Sequence, residues 1–400
     1  MTSEPNILVW QFGRFGAGPR YGLELAHALR TFCGLRTRLL LAEDAEILSD
    51  PGCRSQVDLT VRTYANRQEF LVRSLRAQSI LRPILGKLAE EPPSIAINVM
   101  GAYWDTFLAT HLRRLGVPVV SIVHDASPHP GDNYHLAVWL HRRLVKQSVG
   151  VITLSDYVAG LLRGQSQLDG RLHWTIPLVC FDYAELGLPA PVAPGYPQRR
   201  PFRLLLAGRL KAYKGLDLFL GALEHIDPDT IEVRVVGSHH DSTVDRMLHQ
   251  AGAVDFCPGW ISDRGFIEHV DWADAMMAPH VEASQSAVVP LAFSRRRPVV
   301  ATPVGGLVEQ VRDGVTGMLA TETSPRAFAD AIRRLIDDPD LFQSCADNAL
   351  SCASGPWSWR EIGRRHADAL IEAIAGTPRN DASQQCGSDA EQPTRAAASR

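Results

Sequence analysis

Two runs of one alternating pattern, separated by a proline-rich stretch, constrain the fold of this 400-residue chain more than any other feature. Short β-branched apolar runs alternate with longer amphipathic stretches, from Asn6–Phe12 to Val149–Leu154 and again from Phe202–Ala207 to Gly317–Ala320. Apolar runs without strict alternation suit strands that are buried on both faces of a parallel sheet. The succession of strand, helix and strand therefore predicts an α/β protein with two doubly wound, Rossmann-like domains that face a central cleft.

Proline places the predicted boundary between the two halves, because it continues neither a helix nor a central strand. The prolines concerned are Pro189, Pro191, Pro194, Pro197 and Pro201. We therefore predict an N-terminal domain over 1–190, a linker over 191–202 and a C-terminal domain over 203–356. A C-terminal helix over 357–376 can cross back to the N-terminal domain. The tail 377–400 has almost no large apolar residues, which predicts disorder.

Charge and cysteine usage exclude several classes of protein. Lys and Arg number 41 against 44 Asp and Glu, a net charge of −3, which argues against a dedicated nucleic-acid binder. The 7 cysteines form no CxxC pair, so neither a structural zinc site nor a disulfide framework is expected. The N-terminus has no basic stretch before its short apolar run, and no apolar run approaches the roughly 20 residues of a membrane span. We expect a cytoplasmic protein, either free or peripheral on the inner face of the membrane.

The loop Gly13–Gly18 follows the first predicted strand, where parallel sheets place their ligands. Glycines let the backbone approach a ligand, and the N–H groups of a following helix favour an anion. A dinucleotide fingerprint would need glycine at the second position of this turn, which Phe15 occupies. A tight turn without a ligand role remains an alternative at this point.

A second cluster follows the first strand of the second half, in Gly208–Gly215. Arg209 and Lys214 could together neutralise a diphosphate, because a guanidinium grips phosphate oxygens bidentately and an ammonium adds a point charge. The alternative is a solvated basic turn, and Lys211 by itself favours that interpretation.

Two further clusters follow predicted strands. Glu282 and the small polar residues after it lead into a predicted helix over Ser284–Ser294, which Ser284 could cap. Free N–H groups at Ser286 and Ala287 could bind phosphate there, although an ordinary cap explains the same pattern. In the first half, a β-branched run ends at His124-Asp125, and a lone histidine at a strand end is more often structural than catalytic.

These clusters, in this order, resemble the retaining glycosyltransferases of family 4, whose two-Rossmann architecture is called GT-B. The resemblance spans about residues 6–375. The matching positions are Gly13–Gly18, His124-Asp125, Ile152–Ser155, Gly208-Arg209, Lys214–Asp217, Val236-Gly237, Glu282–Ser286, Pro298–Glu309 and Asp313–Gly317.

The resemblance implies roles for individual residues. Arg209 and Lys214 would hold the donor diphosphate, and His124 and Glu282 would lie by the donor sugar. The backbone at Gly16 would approach the donor phosphate or the acceptor. The remaining donor contacts implied are Gly237 at the base, the N–H groups of Ser286 and Ala287 at the phosphates, and Glu309.

The reaction implied is retaining transfer of a hexose from a UDP- or GDP-type sugar to a hydroxyl acceptor. It would proceed by front-face attack, without a metal, a cofactor or a protein nucleophile. The acceptor could be a glycan or a lipid-linked sugar in polysaccharide or glycolipid assembly.

One position departs from the family pattern. Pro290 stands where the family has a second glutamate, which typically holds the ribose hydroxyls, and whether Glu309 substitutes for it is open. Two alternatives therefore stand beside the transferase. Another GT-B enzyme, such as a nucleotide-sugar epimerase, would need no acceptor, and a non-catalytic nucleotide-sugar-binding protein would release no nucleotide.

The stretch 62–88 combines several arginines with many leucines and isoleucines and a single acid, Glu69. Such a basic amphipathic segment can lie on anionic lipid. A core-packed helix with a solvated arginine face is the alternative.

Overall fold

The computed structural model describes residues 4–127, 135–181, 190–192, 195–197, 200–239, 241–251 and 254–377. They form two sheets, of seven strands in the order β3-β2-β1-β4-β5-β6-β7 and of six strands in the order β10-β9-β8-β11-β12-β13. The strands are β1 Asn6–Gln11, β2 Arg36–Ala42, β3 Leu59–Val61, β4 Ile95–Val99, β5 Val119–Val123, β6 Gly150–Thr153, β7 Leu172–Thr175, β8 Phe202–Ala207, β9 Ile231–Gly237, β10 Val254–Pro258, β11 Ala275–Ala278, β12 Val299–Ala301 and β13 Gly317–Leu319.

The strand pairings that the structure describes are all parallel. The helices that connect and follow them are α1 Ala17–Thr31, α2 Pro51–Arg54, α3 Arg67–Leu75, α4 Ala77–Glu90, α5 Asp105–Arg114, α6 His135–Gln147, α7 Asp156–Gly164, α8 Leu216–Leu223, α9 Ser242–Gln250, α10 Asp263–Trp272, α11 Val288–Ser294, α12 Leu307–Gln310, α13 Pro325–Ile336, α14 Pro339–Ser354 and α15 Trp359–Gly376. This architecture confirms the predicted α/β fold with two doubly wound sheets.

Strand β1 shows why the apolar runs lack alternation. All six of its residues are buried. Ile7 and Val9 belong to the core beneath α1 and α15, whereas Leu8 and Trp10 belong to the core beneath α4 and α5. A strand with helices on both faces must be apolar on both, so the sequence pattern follows from the layering.

The structure divides the predicted helical stretch Arg67–Leu88 into α3 and α4, because Arg76 leaves the helical conformation. Helix α4 buries Ala77, Leu81, Ile84 and Leu88, which are spaced along one face. Helix α3 has no fully buried residue among those described. Strand β7 was not predicted, since its four residues are only partly buried and carry a weak apolar signal.

Helix α15 follows the second domain in sequence and packs on α1 of the first. Gly363 lies so close to α1 that an added Cβ would stand 2.8 Å from the Cβ of Ala28. The indole of Trp359 donates to the Glu24 carboxylate, and His366 contacts the Tyr21 hydroxyl at 3.3 Å. The last helix thus contributes to the core of the first domain. The predicted tail lies almost entirely outside the described residues.

We expect opposite effects on stability from two glycine-to-alanine changes in helices. Gly363→Ala should lower the free energy of unfolding by about 1 kcal/mol, because the new methyl overpacks the contact with Ala28. Gly160→Ala in α7, where an added Cβ meets nothing within 4 Å, should raise it by about 0.5–1 kcal/mol through helix propensity. Denaturant unfolding measures both, and stabilisation by both changes would contradict the close α1–α15 contact.

Candidate functional site

Three loops at the carboxyl end of the second sheet pack on one another through glycines. A Cβ on Gly237 would lie 1.7 Å from the Gly208 carbonyl oxygen, and one on Gly215 would lie 1.9 Å from the Pro279 carbonyl oxygen. A Cβ on Gly305 would likewise stand 1.9 Å from the carbonyl oxygen of Ala283. Only glycine permits these approaches, so the end of β9 and the loops after β8, β11 and β12 form one continuous surface.

Lys214 is the centre of this surface. Its ammonium lies 2.8 Å from Nε2 of His280, which is only 3% exposed, and the Ser286 hydroxyl lies 3.2 Å from the same nitrogen. Because an ammonium can only donate, Nε2 acts as the acceptor, and His280 then carries its proton on Nδ1. His280, in the loop after β11, therefore positions the predicted phosphate cation, and Ser286 of the same loop contacts His280.

Charged groups from both domains act on Lys214. The pKa of Lys214 is lowered to about 8, chiefly by burial and then by the positive charge of Arg209, while the Asp125 carboxylate opposes both effects. Arg209 itself is exposed at the end of β8. The charges that act on Lys214 thus come from both domains, which is expected of a group in the cleft between them.

The first domain contributes His124 and Asp125, which directly follow β5. Nδ1 of His124 lies 2.8 Å from the Asp125 carboxylate, and the His124 carbonyl accepts a hydrogen bond of 2.8 Å from the Gln285 side chain. This contact brings His124 to the loop that carries Glu282.

His141 on α6 is a residue that the sequence analysis missed. Its pKa is lowered to about 4, chiefly by burial, while the charges of Asp125 and His124 raise and lower it respectively.

A second set of contacts joins the domains beside this pair. The Ser155 hydroxyl donates to the Ser284 carbonyl at 2.9 Å. The two carboxylate oxygens of Glu309 accept from the backbone N–H groups of Asp156 and Tyr157, each at 2.7 Å. These N–H groups belong to the first turn of α7, where the helix dipole favours an anion. The domains are therefore held together at this end of the cleft by side chains that bind backbone groups.

The helix after Glu282 begins later than predicted. It starts at Val288 with Ala287 at the N-cap and no side-chain cap, so the expected cap by Ser284 is not formed. The Ser284 carbonyl, which an N-cap residue would offer to the first helical N–H, instead accepts a hydrogen bond from the Ser155 hydroxyl. The Ser286 N–H donates to the Gln310 side chain at 2.7 Å, so in this conformation it is the Ser286 hydroxyl that contacts His280. Ala287 is exposed.

Gly16 is the N-cap of α1 and has a positive φ of 79°. An added Cβ there would meet nothing within 4 Å, so this part of the loop is open to an approaching ligand. The Gln11 side chain lies beneath the loop, 2.4 Å from a Cβ placed on Gly13 and 2.6 Å from one on Gly18. A side chain at either position would have to displace the end of the Gln11 side chain.

Pro290 is buried in the first turn of α11, so its ring belongs to the core and not to the cleft. The carboxylate of Glu309 is engaged at α7 in this conformation. Within the described ranges, no cluster of three or more His, Cys, Asp or Glu side chains could hold a metal ion. In the same part of the chain, no helix combines the length and the apolar character that a bilayer span requires.

Comparison with known proteins identifies both halves. Residues 16–178 match a model described as a glycosyl transferase 4-like domain, and residues 201–338 match glycosyl transferases group 1. The chain is 24% identical over 282 residues to an alpha-D-kanosaminyltransferase of Streptomyces kanamyceticus, covering 65% of this chain and 72% of the relative. It is 31% identical over 193 residues to a D-inositol 3-phosphate glycosyltransferase of Streptomyces bingchenggensis, covering 44% of this chain and less than half, 41%, of the relative.

Solved structures share the fold. Anabaena HepE in complex with UDP superimposes with a TM-score of 0.66 at 18% identity, covering 92% of this chain and 100% of the other. Sucrose-phosphate synthase from Thermosynechococcus elongatus gives a TM-score of 0.70 at 16% identity, covering 93% and 99%. One conclusion follows from the two parallel sheets, the loop clusters at their facing ends and the family matches in both halves. The chain belongs to the family-4-like glycosyltransferases with the GT-B fold.

Proposed function

We propose that the chain is a retaining glycosyltransferase that moves a hexose from a nucleoside diphosphate sugar to a hydroxyl acceptor. The observation that carries the proposal is the convergence of Arg209 and Lys214 at the cleft, opposite Asp125 of the other domain. A half-buried ammonium beside an exposed guanidinium provides two positive charges for a diphosphate, and the contact with His280 positions the ammonium before the ligand arrives.

In the proposed reaction, the bond between the anomeric carbon and the diphosphate oxygen breaks as the acceptor oxygen bonds to that carbon from the same face. The acceptor proton passes to a phosphate oxygen of the leaving group. Arg209 and Lys214 stabilise the negative charge that develops on the diphosphate. Glu282 and His124 contact the sugar, and the Gln285 bond to the His124 carbonyl keeps these two segments together.

The donor would be of UDP or GDP type. HepE is a neighbour solved with UDP, which supports a uridine donor for this chain by analogy of fold alone. Gly237 would line the base, Ser286 and Ala287 would contact phosphate, and Gly16 would approach the phosphate or the acceptor. For Glu309 to contact the donor, its carboxylate must first release the N–H groups of α7.

The acceptor would be a glycan or a lipid-linked sugar, and the protein would act in the cytoplasm with a peripheral contact through 62–88. Burial limits which side chains of 62–88 are available for such a contact. The apolar face of α4 is buried in the core beneath α4 and α5, and the exposed large apolar side chains of 62–88 are Leu71, Val72 and Leu75 of α3.

Replacing either cation should abolish most activity. Arg209→Ala and Lys214→Ala should each lower kcat by about 100-fold or more, since each removes charge stabilisation from the leaving diphosphate. Lys211→Ala is the matched control from the same loop and should stay near the wild-type rate. Initial-rate assays with donor and acceptor measure all three, and near wild-type turnover in both cation variants would refute the assignment.

The fall of kcat/KM at alkaline pH should report the deprotonation of Lys214. Activity should fall as pH rises through about 8, because the free enzyme then loses the ammonium charge. Lys214→Arg should remove this fall, since a guanidinium stays charged. His280→Ala should move it to lower pH, because a neutral acceptor that stabilises the ammonium is lost.

Ser286→Ala serves as the control for that experiment. It contacts His280 and not Lys214, so it should change the KM for donor without moving the pH of that fall. An unchanged pH profile in His280→Ala would exclude a positioning role for this histidine.

Product analysis separates the transferase from its alternatives. Thermal shifts with UDP-, GDP- and ADP-sugars identify the donor, since a ligand that binds only the native state raises the melting temperature. With that donor and an acceptor, NMR of the product should show the anomeric configuration of the donor retained. A changed donor sugar without any acceptor would indicate an epimerase, and binding without nucleotide release would indicate a non-catalytic protein.

A further inference from the structure

Helix α3 projects apolar side chains that no described part of the chain covers. Leu75 is 91% exposed, Leu71 68% and Val72 57%. Helix α6 likewise exposes Leu136 and Trp139 to about half of their surface. Soluble surfaces carry single exposed apolar residues routinely, but neighbouring ones on adjacent helices indicate an interaction site.

These helices share one surface. A shallow groove is lined by Leu75 at the end of α3, Phe107 and Arg114 of α5, and Arg143 of α6. Ser74 accepts a hydrogen bond of 3.0 Å from the Trp104 indole, which joins α3 to the start of α5. The Thr106 hydroxyl donates to the Leu140 carbonyl at 3.1 Å, which joins α5 to α6. We name this surface the α3–α6 face, defined by Leu71, Leu75, Arg114, Leu136, Trp139 and Arg143.

The charge of the α3–α6 face differs from that of the whole chain. The segments 67–90, 105–114 and 135–147 contain ten Lys and Arg against three Asp and Glu, in a protein whose net charge is −3. Among the described residues, neither Arg114 nor Arg143 pairs with a carboxylate. The Arg143 guanidinium instead lies 5.6 Å from the centre of the Trp139 ring.

This combination fits a bilayer better than a folded partner. Leucines and a tryptophan standing out from the surface can enter the acyl and headgroup region, while the arginines around them meet lipid phosphates. An acidic protein would complement the charges but would leave a side chain as exposed as that of Leu75 without a defined pocket.

We infer that the α3–α6 face docks on an anionic phospholipid bilayer. The inference rests on the proposed function and deepens it, because a lipid-linked acceptor would be met at this surface. Within 62–88 the proposed docking surface includes only residues of α3. Its other members include Arg114, Trp139 and Arg143, which lie outside that stretch.

Co-sedimentation with vesicles tests the inference on the full chain, without donor or acceptor. Wild-type protein should sediment with vesicles of equal parts phosphatidylglycerol and phosphatidylcholine and remain in the supernatant with phosphatidylcholine alone. The double variants Arg114→Gln with Arg143→Gln, and Leu71→Ser with Leu75→Ser, should each weaken partitioning by about tenfold or more.

The matched control is Arg326→Gln with Arg360→Gln, which removes the same charge from exposed positions on other helices. Arg360 also stacks on an aromatic ring, 4.7 Å from the centre of Phe32, as Arg143 does on Trp139. The control should partition like wild type. Wild-type protein that stays in the supernatant, as expected if the face binds an acidic protein instead, or partitioning unchanged in both double variants, would overturn the inference.

Thermal shift by UDP in the same variants keeps this result separate from the proposed function. All variants should respond to UDP like wild type, because none of the changed residues lies at the cleft. Loss of vesicle binding with normal nucleotide binding would count for the α3–α6 face. Vesicle binding by a protein that never responds to a nucleotide would overturn the transferase and leave the docking surface standing.

Discussion

The candidate site depends on one ammonium group held where two domains meet. Lys214 contacts the buried His280 at 2.8 Å. Its pKa is lowered by burial and by the charge of Arg209 in its own domain, and raised by that of Asp125 in the other. Desolvation makes the charged form of Lys214 less stable, so this cation gains from the arrival of an anion. This is a physical basis for preferring a diphosphate over a neutral ligand, and it requires the two domains to stay in contact.

That contact is made by side chains that bind backbone groups, with glycines allowing the approach. Glu309 caps the first turn of α7, and Ser155 donates to the Ser284 carbonyl. Gly306 stands so close that an added Cβ would lie 2.0 Å from the same carbonyl oxygen. Bonds to backbone groups make few demands on side-chain identity in the partner, so such a joint can form between loops whose own residues serve the ligand.

The first domain presents different surfaces for different tasks. Its loops after β1 and β5 face the cleft, whereas α15 covers one side of its sheet and α4 and α5 cover the other. The α3–α6 face lies on this second side. The proposed contacts with lipid and with the nucleotide sugar use separate residues, so the two proposals are compatible with each other.

The alternating apolar runs of the sequence determined the two parallel sheets, because a strand covered by helices on both faces has to be apolar throughout. The strand ends also indicated Arg209, Lys214, His124 and Glu282 as site candidates. The roles of His280 and His141 were not predictable, since a histidine next to a strand end or within a helix carries no signal of its partners. Residues far apart in the chain also determine the contact of Glu309 with α7, the late start of α11 and which face of α4 is buried. Only the tertiary structure decides these, because hydrogen bonding and burial are set by which surfaces meet, and local sequence patterns do not record that.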